Sequence, residues 1–257
     1  MIRKHPSFYS RITSVWYRHF RVYTKNLLAN GFPPFLEPLI FLAAVGIGLG
    51  RFINEMDGIS YLPFLASGLM VTTAMYTSAF ECSYGTFIRL EFDKAYDGML
   101  AAPLSTADIF LGEILWAGTK GFFFSTAVLV VVSVFGILSL RECFLVPTAG
   151  FLTGLMFGSL SLFITSFVND INQFNFYFTG ILSPMFFFSG AVFSIDEMPS
   201  FLRLAAEALP LTHSVRLVRS ICFGSDYPLL QPLLFITVFT TAAIWLSVRR
   251  LKRRLIF

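Results

Sequence analysis

Two charged side chains, Glu113 and Lys120, stand inside an otherwise apolar run from Ile109 to Leu138. Seven residues of helix are about two turns, so both lie on one face, and each is costly in hydrocarbon. Two readings fit. Either the pair faces a bundle interior or a substrate path, or Glu113 is interfacial and Lys120 meets a structural partner. The stretch Gly112 to Lys120 (GEILWAGTK) has the glycines and lysine of a phosphate-binding loop. The GxxxxGK[ST] spacing fails, however, and the stretch lies in a span, so no nucleotide site is expected.

Other reactive residue types are present in weaker arrangements. Ser189-Gly190 with His213 could form an intramembrane serine-histidine pair, which would make the chain a hydrolase. The glycine spacing of a nucleophile elbow is missing and no third group orients the pair, whereas a lone Ser-Gly in a span usually serves close packing. No catalytic residue is assigned. Cys82, Cys143 and Cys222 are scattered without CxxC spacing, and the three histidines do not cluster near them, so neither a disulfide framework nor a metal site is expected. His19 reads as an interfacial aromatic. Among the 32 phenylalanines, most are read as lipid-facing packing; Tyr177 and Phe178 are the candidates for a ring platform under an amphipathic substrate.

The elements that must position these residues are membrane helices. The chain has 257 residues, 56% of them hydrophobic and 13% charged, about half the usual charged fraction. This predicts a single, all-α membrane domain over residues 1–257. The net charge of +4 sits mainly at the two ends beside apolar runs. Anionic lipid headgroups explain that placement better than nucleic acid does.

Six spans are predicted, at about 35–52, 61–80, 109–138, 145–168, 174–193 and 229–248. Before the first, Phe8, Ile12, Val15, Trp16, His19, Phe20, Tyr23 and Leu27 recur at helical spacing with Arg11, Arg18, Arg21 and Lys25 mostly elsewhere. That is an amphipathic helix lying in the interface. Ser105-Thr-Ala-Asp108 opens the third span with a capping box. Basic residues before span one and after span six put both termini in the cytoplasm, which an even number of spans satisfies; Asp93 is then cytoplasmic, and Asp57 and Asp226 are outside.

Between spans two and three, Ile88, Phe92, Ala95, Tyr96 and Met99 keep a helical beat while Glu91, Asp93 and Lys94 lie off it. The residues 87–100 therefore read as a short amphipathic helix, suited either to pressing on a partner or to lying solvated in a loop. Between spans five and six, 198–209 and 213–223 read as two helices divided by Pro210. Each reaches roughly 18 Å, too short to cross about 30 Å of hydrocarbon. A re-entrant hairpin acting as an outer gate is predicted, with Pro210, His213, Arg216 and Arg219 as its marked residues.

Several short motifs carry a resemblance: Met56-Asp-Gly-Ile-Ser-Tyr61, Asp97-Gly-Met-Leu100 with Pro103-Leu104, and Gly112-Glu113, then Ser189-Gly-Ala-Val-Phe193, Met198-Pro199 and Pro210-Leu-Thr-His-Ser214 with Arg219. In these, and in its order of elements, the chain resembles the transmembrane permeases of type-2 ABC exporters, especially nodulation-type lipo-oligosaccharide permeases. The resemblance implies that the 87–100 helix is a coupling helix, with Phe87, Arg89, Phe92, Tyr96, Asp97, Met99 and Leu100 at a separate ATPase subunit. ATP and Mg would be bound by that ATPase and no cofactor by this chain. It implies two permease copies, read as a homodimer, in a bacterial inner membrane, exporting a lipid or glycolipid from the cytoplasmic leaflet. Drug efflux is the alternative within transport.

Overall fold

Apolar runs in lipid must close their backbone hydrogen bonds internally, and this chain does so almost wholly as helix. The computed structural model describes residues 6–28, 32, 36, 40–50, 52–141, 143–224 and 229–256. The first expected span, 35–52, falls partly outside the described residues, as does Asp226. Helix α1 (Phe8–Lys25) is capped by Ser7. A π-helical stretch, Leu42–Ile47, follows, then strands β1 (Glu55–Met56) and β2 (Ile59–Ser60). The core helices are α2 (Tyr61–Phe80), α4 (Thr106–Val134) and α5 (Val146–Thr165), with α3 (Ala95–Leu100) between the first two. Helices α6 (Ser200–Ala208) and α7 (Pro210–Phe223) precede α8 (Leu230–Ile256).

Among the described residues, α4, α5 and α8 are long and apolar enough to cross a membrane. Helix α2 also has 20 residues, but it is laced with Ser67, Thr72, Thr73, Thr77 and Ser78 and lies deepest in the bundle. Small residues let α4 and α5 meet backbone to backbone: a Cβ on Gly121 would lie 2.4 Å from the Gly150 carbonyl oxygen. Hydroxyls cross-link the helices at the same level. Ser78 donates to the Ala117 carbonyl at 2.9 Å and Ser125 to that of Met70 at 2.7 Å.

Four departures from the expected elements have local causes. The β1–β2 pair is a two-residue hairpin in a chain expected to be all-α; Asp57 and Gly58 both take positive φ, 54° and 71°, the Asp-Gly turn that hairpins favour. The 87–100 helix is two pieces. The helical run of α2 continues through π turns at Glu81–Gly85 and Ile88–Phe92, then breaks where Lys94 turns left-handed at φ 49°. The expected helix 174–193 is likewise divided, into Phe174–Tyr177, a π turn Phe178–Leu182, and Ser183–Phe188. Pro184 cannot donate a backbone N–H, and the π turn sits just before it. Finally, α7 begins at Pro210 itself, because proline in the first turn sacrifices no bond the helix would have made.

Candidate functional site

Charged residues of α4 and of the connector that follows α2 converge on one largely buried cluster. Helix α4 starts from a capping box in which Ser105 and Asp108 satisfy each other's backbone groups, with Arg11 of α1 3.2 Å from the Asp108 carboxylate. One turn on, Gly112 lets α1 approach, since a Cβ there would lie 2.6 Å from Val15 Cβ. The next residue, Glu113, is fully buried.

Glu113 accepts hydrogen bonds from Arg89 at 2.6 Å and from the Tyr96 hydroxyl at 2.7 Å, and His19 Nε2 lies 3.0 Å away. Arg89 also donates to Glu81 at 2.8 Å, and the other Glu81 oxygen takes Lys120 Nζ at 2.9 Å. Charges therefore alternate along a chain: Lys120, Glu81, Arg89, Glu113. Two acids face two bases, which is what lets all four sit in so dry a place. The Lys120 ammonium lies 5.4 Å from the Tyr23 ring centroid, and the His19 ring is stacked on Trp116.

Local structure aims these groups. Arg89 reaches Glu81 by lying back across Gly85, where a Cβ would be 3.1 Å from its Nη1. Burial alone would lower the Arg89 pKa; the Glu113 carboxylate offsets this and keeps the guanidinium charged. Burial first, and Glu113 next, push the Tyr96 phenol up, so it remains a donor. His19, Glu81 and Glu113 offer three ligand atoms within 4.8 Å of one another, a metal-like grouping. Arg89 and Lys120 already neutralise both carboxylates, so the chemistry favours an ionic lock over a cation site.

The connector that follows α2 thus has a buried root and an exposed tip. Phe87, Tyr96 and Met99, expected at an outward docking face, are buried: Phe87 packs edge-on to Phe174, and beyond the break at Lys94 Tyr96 turns onto Phe110 and Glu113. Arg89 also points inward and Leu100 is half-buried. Phe92, 65% exposed, and Asp97 do face outward, with Asp93, Lys94 and Gly98. Behind the tip, Arg254 of α8 donates to Glu91 at 2.9 Å and to the Thr165 and Val168 carbonyls, both at 2.7 Å. A cation there suits the carbonyl end of α5.

Glu113 and Lys120, read as a possible pair, are not each other's partners: each meets a residue of the connector's root. Tyr177 is turned into the core, its hydroxyl 2.8 Å from that of Ser161, and Phe178 packs edge-on to Phe80. Neither forms an open platform. At the other end of the bundle, Arg216 is paired with Glu207, while Arg219 donates to the Gly190 carbonyl at 2.6 Å and lies 3.6 Å over the Phe64 ring. These arginines, with Asp57, Ser189 and Asp196, line a cavity of about 530 Å³. Ser189 Oγ donates to Phe186, while His213 Nε2 lies 3.1 Å from the Glu207 carbonyl with its ring stacked on Phe235. The serine-histidine pair is not formed. Pro210 sits in the first turn of α7, which packs on α2 and α8.

His19 and Glu81 were missed as members of the cluster. The available signal was a polar residue within the apolar stripe of α1, and an acid ending an apolar run one helix away from an unpaired lysine.

Comparison with known proteins places this architecture. Residues 10–223 match the family model described as ABC-2 type transporter. The chain is 35% identical over 245 residues to nodulation protein J of Rhizobium meliloti (strain 1021), covering 94% of this chain and 93% of that one. It is 36% identical to nodulation protein J of Rhizobium leguminosarum bv. trifolii, covering 95% and 93%. Inner membrane transport permease YadH of Escherichia coli (strain K12) is 22% identical, with 90% of each chain covered.

Proposed function

The chain belongs to the ABC-2 type transporter family, and on that premise we propose that it is the membrane subunit of an ATP-driven exporter. Its substrate is an amphipathic, glycan-bearing lipid taken from the cytoplasmic leaflet of a bacterial inner membrane. In this reading residues 1–257 form one domain of six spans with both termini cytoplasmic. Helix α1 lies in the inner interface, the 81–104 connector faces the cytoplasm, and α6–α7 form a re-entrant outer gate. A separate ATPase holds ATP and Mg and docks at the tip of the connector. Two copies of this chain and two ATPases surround the path. Similarity to a protein named as an inner membrane transport permease supports the location and the transport role.

One observation carries the proposal. The connector presents Phe92, Asp93, Lys94 and Asp97 to solvent while its root is held by the buried chain from Lys120 to Glu113. A push on such a tip cannot be absorbed by a hinge at its base. It passes to α2 through the continuous helical run, to α4 through Glu113 and Lys120, to α1 through His19, and to α8 through Arg254. The chain's own residues thus supply stiffness and routing, and the ATPase supplies the work.

Phe92→Asp tests this reading, because that side chain is at the tip and not in the root. Pull-down of the ATPase and substrate-stimulated ATP hydrolysis should both fall steeply, while membrane insertion and melting stay unchanged. Normal recovery with normal stimulation rejects the docking role. Mass spectrometry of lipids co-purified with the assembled complex tests the substrate: a glycan-bearing lipid is expected, and a small hydrophobic drug-like molecule in its place would favour drug efflux.

A further inference from the structure

The basic end of α8 has two unlike faces. On one, Leu251 is buried and Arg254 is consumed by Glu91 and the end of α5. On the other, Arg249, Arg250 and Arg253 are exposed, and among the described residues no carboxylate pairs with any of them. These three guanidinium groups, with Phe163, Trp245 and Leu246, line a cavity of about 190 Å³. Aromatic rings support two of them from below. The Arg249 guanidinium carbon lies 5.2 Å from the Trp245 ring centroid, and that of Arg250 lies 4.6 Å from the ring of Phe167.

Three uncompensated cations around a small cavity select an anion, and planar forks of this kind match phosphate oxygens. What lies below the cavity says which anion. Leu234, Val238 and Trp245, 62%, 61% and 59% exposed, continue the same side of α8 away from Arg249 at helical spacing. A rail of exposed apolar side chains leading out of a cationic cavity fits an acyl chain joined to an anionic headgroup. We propose that this face of α8 is a binding site for one anionic phospholipid, the headgroup phosphate held by Arg249, Arg250 and Arg253 and a chain lying along Leu246, Trp245 and Val238. The site requires only that α8 spans the membrane. The bound lipid holds the side of α8 that Leu251 and Arg254 leave exposed, and so steadies the helix that braces the connector.

The full chain in detergent is titrated with phosphatidylglycerol or phosphatidylcholine, and bound lipid is counted by native mass spectrometry. The wild type is expected to retain one phosphatidylglycerol in preference to phosphatidylcholine. Arg249→Gln/Arg250→Gln/Arg253→Gln should weaken that binding about a hundredfold, taking each arginine near a membrane surface at its usual worth. Arg18→Gln/Arg21→Gln/Lys25→Gln, which removes equal charge from α1, should keep it. If the first variant fails to fold, Arg249→Gln alone should weaken binding roughly fivefold. Absence of a preference in the wild type overturns the proposal, as does equal loss in both triple variants. So does displacement of the lipid by inorganic phosphate at equal concentration, which would mark an anion site with no role for the chain. Loss of ATPase pull-down in the first triple variant with lipid retention unchanged would assign the face to a protein, and overturns it too.

Discussion

Neutralising Glu113 tests whether the buried charges act as one chain. In Glu113→Gln the run Lys120, Glu81, Arg89 is left with two cations on one carboxylate, inside a site where Glu113 is 0% and Arg89 14% exposed. Breaking a buried pair in this way costs about 3–5 kcal/mol, a large part of the roughly 5–15 kcal/mol that holds a domain folded. Arg89→Gln should cost a similar amount, because it leaves Glu113 with only His19 and Tyr96. Removing both leaves the neutral Lys120–Glu81 pair at 2.9 Å intact. The double variant should therefore be more stable than the sum of the singles by about 2–3 kcal/mol. Equilibrium unfolding in mixed micelles measures this, with Trp116, stacked 6.2 Å from the His19 ring, as a fluorescent reporter beside the cluster. Additivity within about 0.5 kcal/mol would refute the reasoning, since it would mean that Glu113 and Arg89 do not share a compensated site.

Other outcomes follow from the same contacts. Gly112→Leu should prise α1 from α4 and destabilise the chain by about 1–3 kcal/mol, read as a lower midpoint in the same unfolding assay. Between α6 and α7, the hydrogen bond from Arg216 holds the Glu207 carboxyl below its ordinary pKa. The folded value is the lower one, so the stabilisation is present above the unfolded pKa near 4.3 and fades as pH falls through the folded pKa. Wild type should thus outlast Glu207→Gln in melting at neutral pH, with the gap closing in acid; a gap that widens in acid would refute the pairing. Cysteines placed at Asp57 and Asp93 should be labelled from opposite sides of the membrane, Asp93 from the cytoplasm. Labelling of position 57 only from the cytoplasm would overturn the topology.

Much of the helical frame was legible. Ser105 and Asp108 announced the start of α4, and Tyr61 to Phe80 was readable as one helix from its unbroken apolar run. Glu113 and Lys120 were legible as expensive residues needing company, but their partners were not. The partners lie on other elements, up to the 94 residues from His19 to Glu113, and spacing along one helix cannot report contacts of that range. The apolar beat of Ile88, Phe92, Tyr96 and Met99 predicts one face, but the break at Lys94 divides it, leaving Ile88 and Phe92 exposed while Tyr96 and Met99 are buried. Lys94 hid the break, because lysine carries none of the glycine or asparagine signal of a left-handed turn. Asp57-Gly58 is a hairpin signal in the sequence, outweighed there by the helical patterning on both sides of it.

The π turns at Glu81–Gly85 and Ile88–Phe92 bear on how this protein can change over generations. A π turn holds one residue more than the α-helical turn it replaces, so a helix can take up a single inserted residue in this form without ending. Losing one residue from either would rewind everything beyond it by about 100°. Arg89 and the tip would then turn together toward a different neighbour. Point substitutions adjust the grip of this connector one side chain at a time; insertions and deletions at these two turns re-index it whole. Descendants that acquire a new partner at this connector should therefore differ in length at these turns before they differ in the charges of the lock.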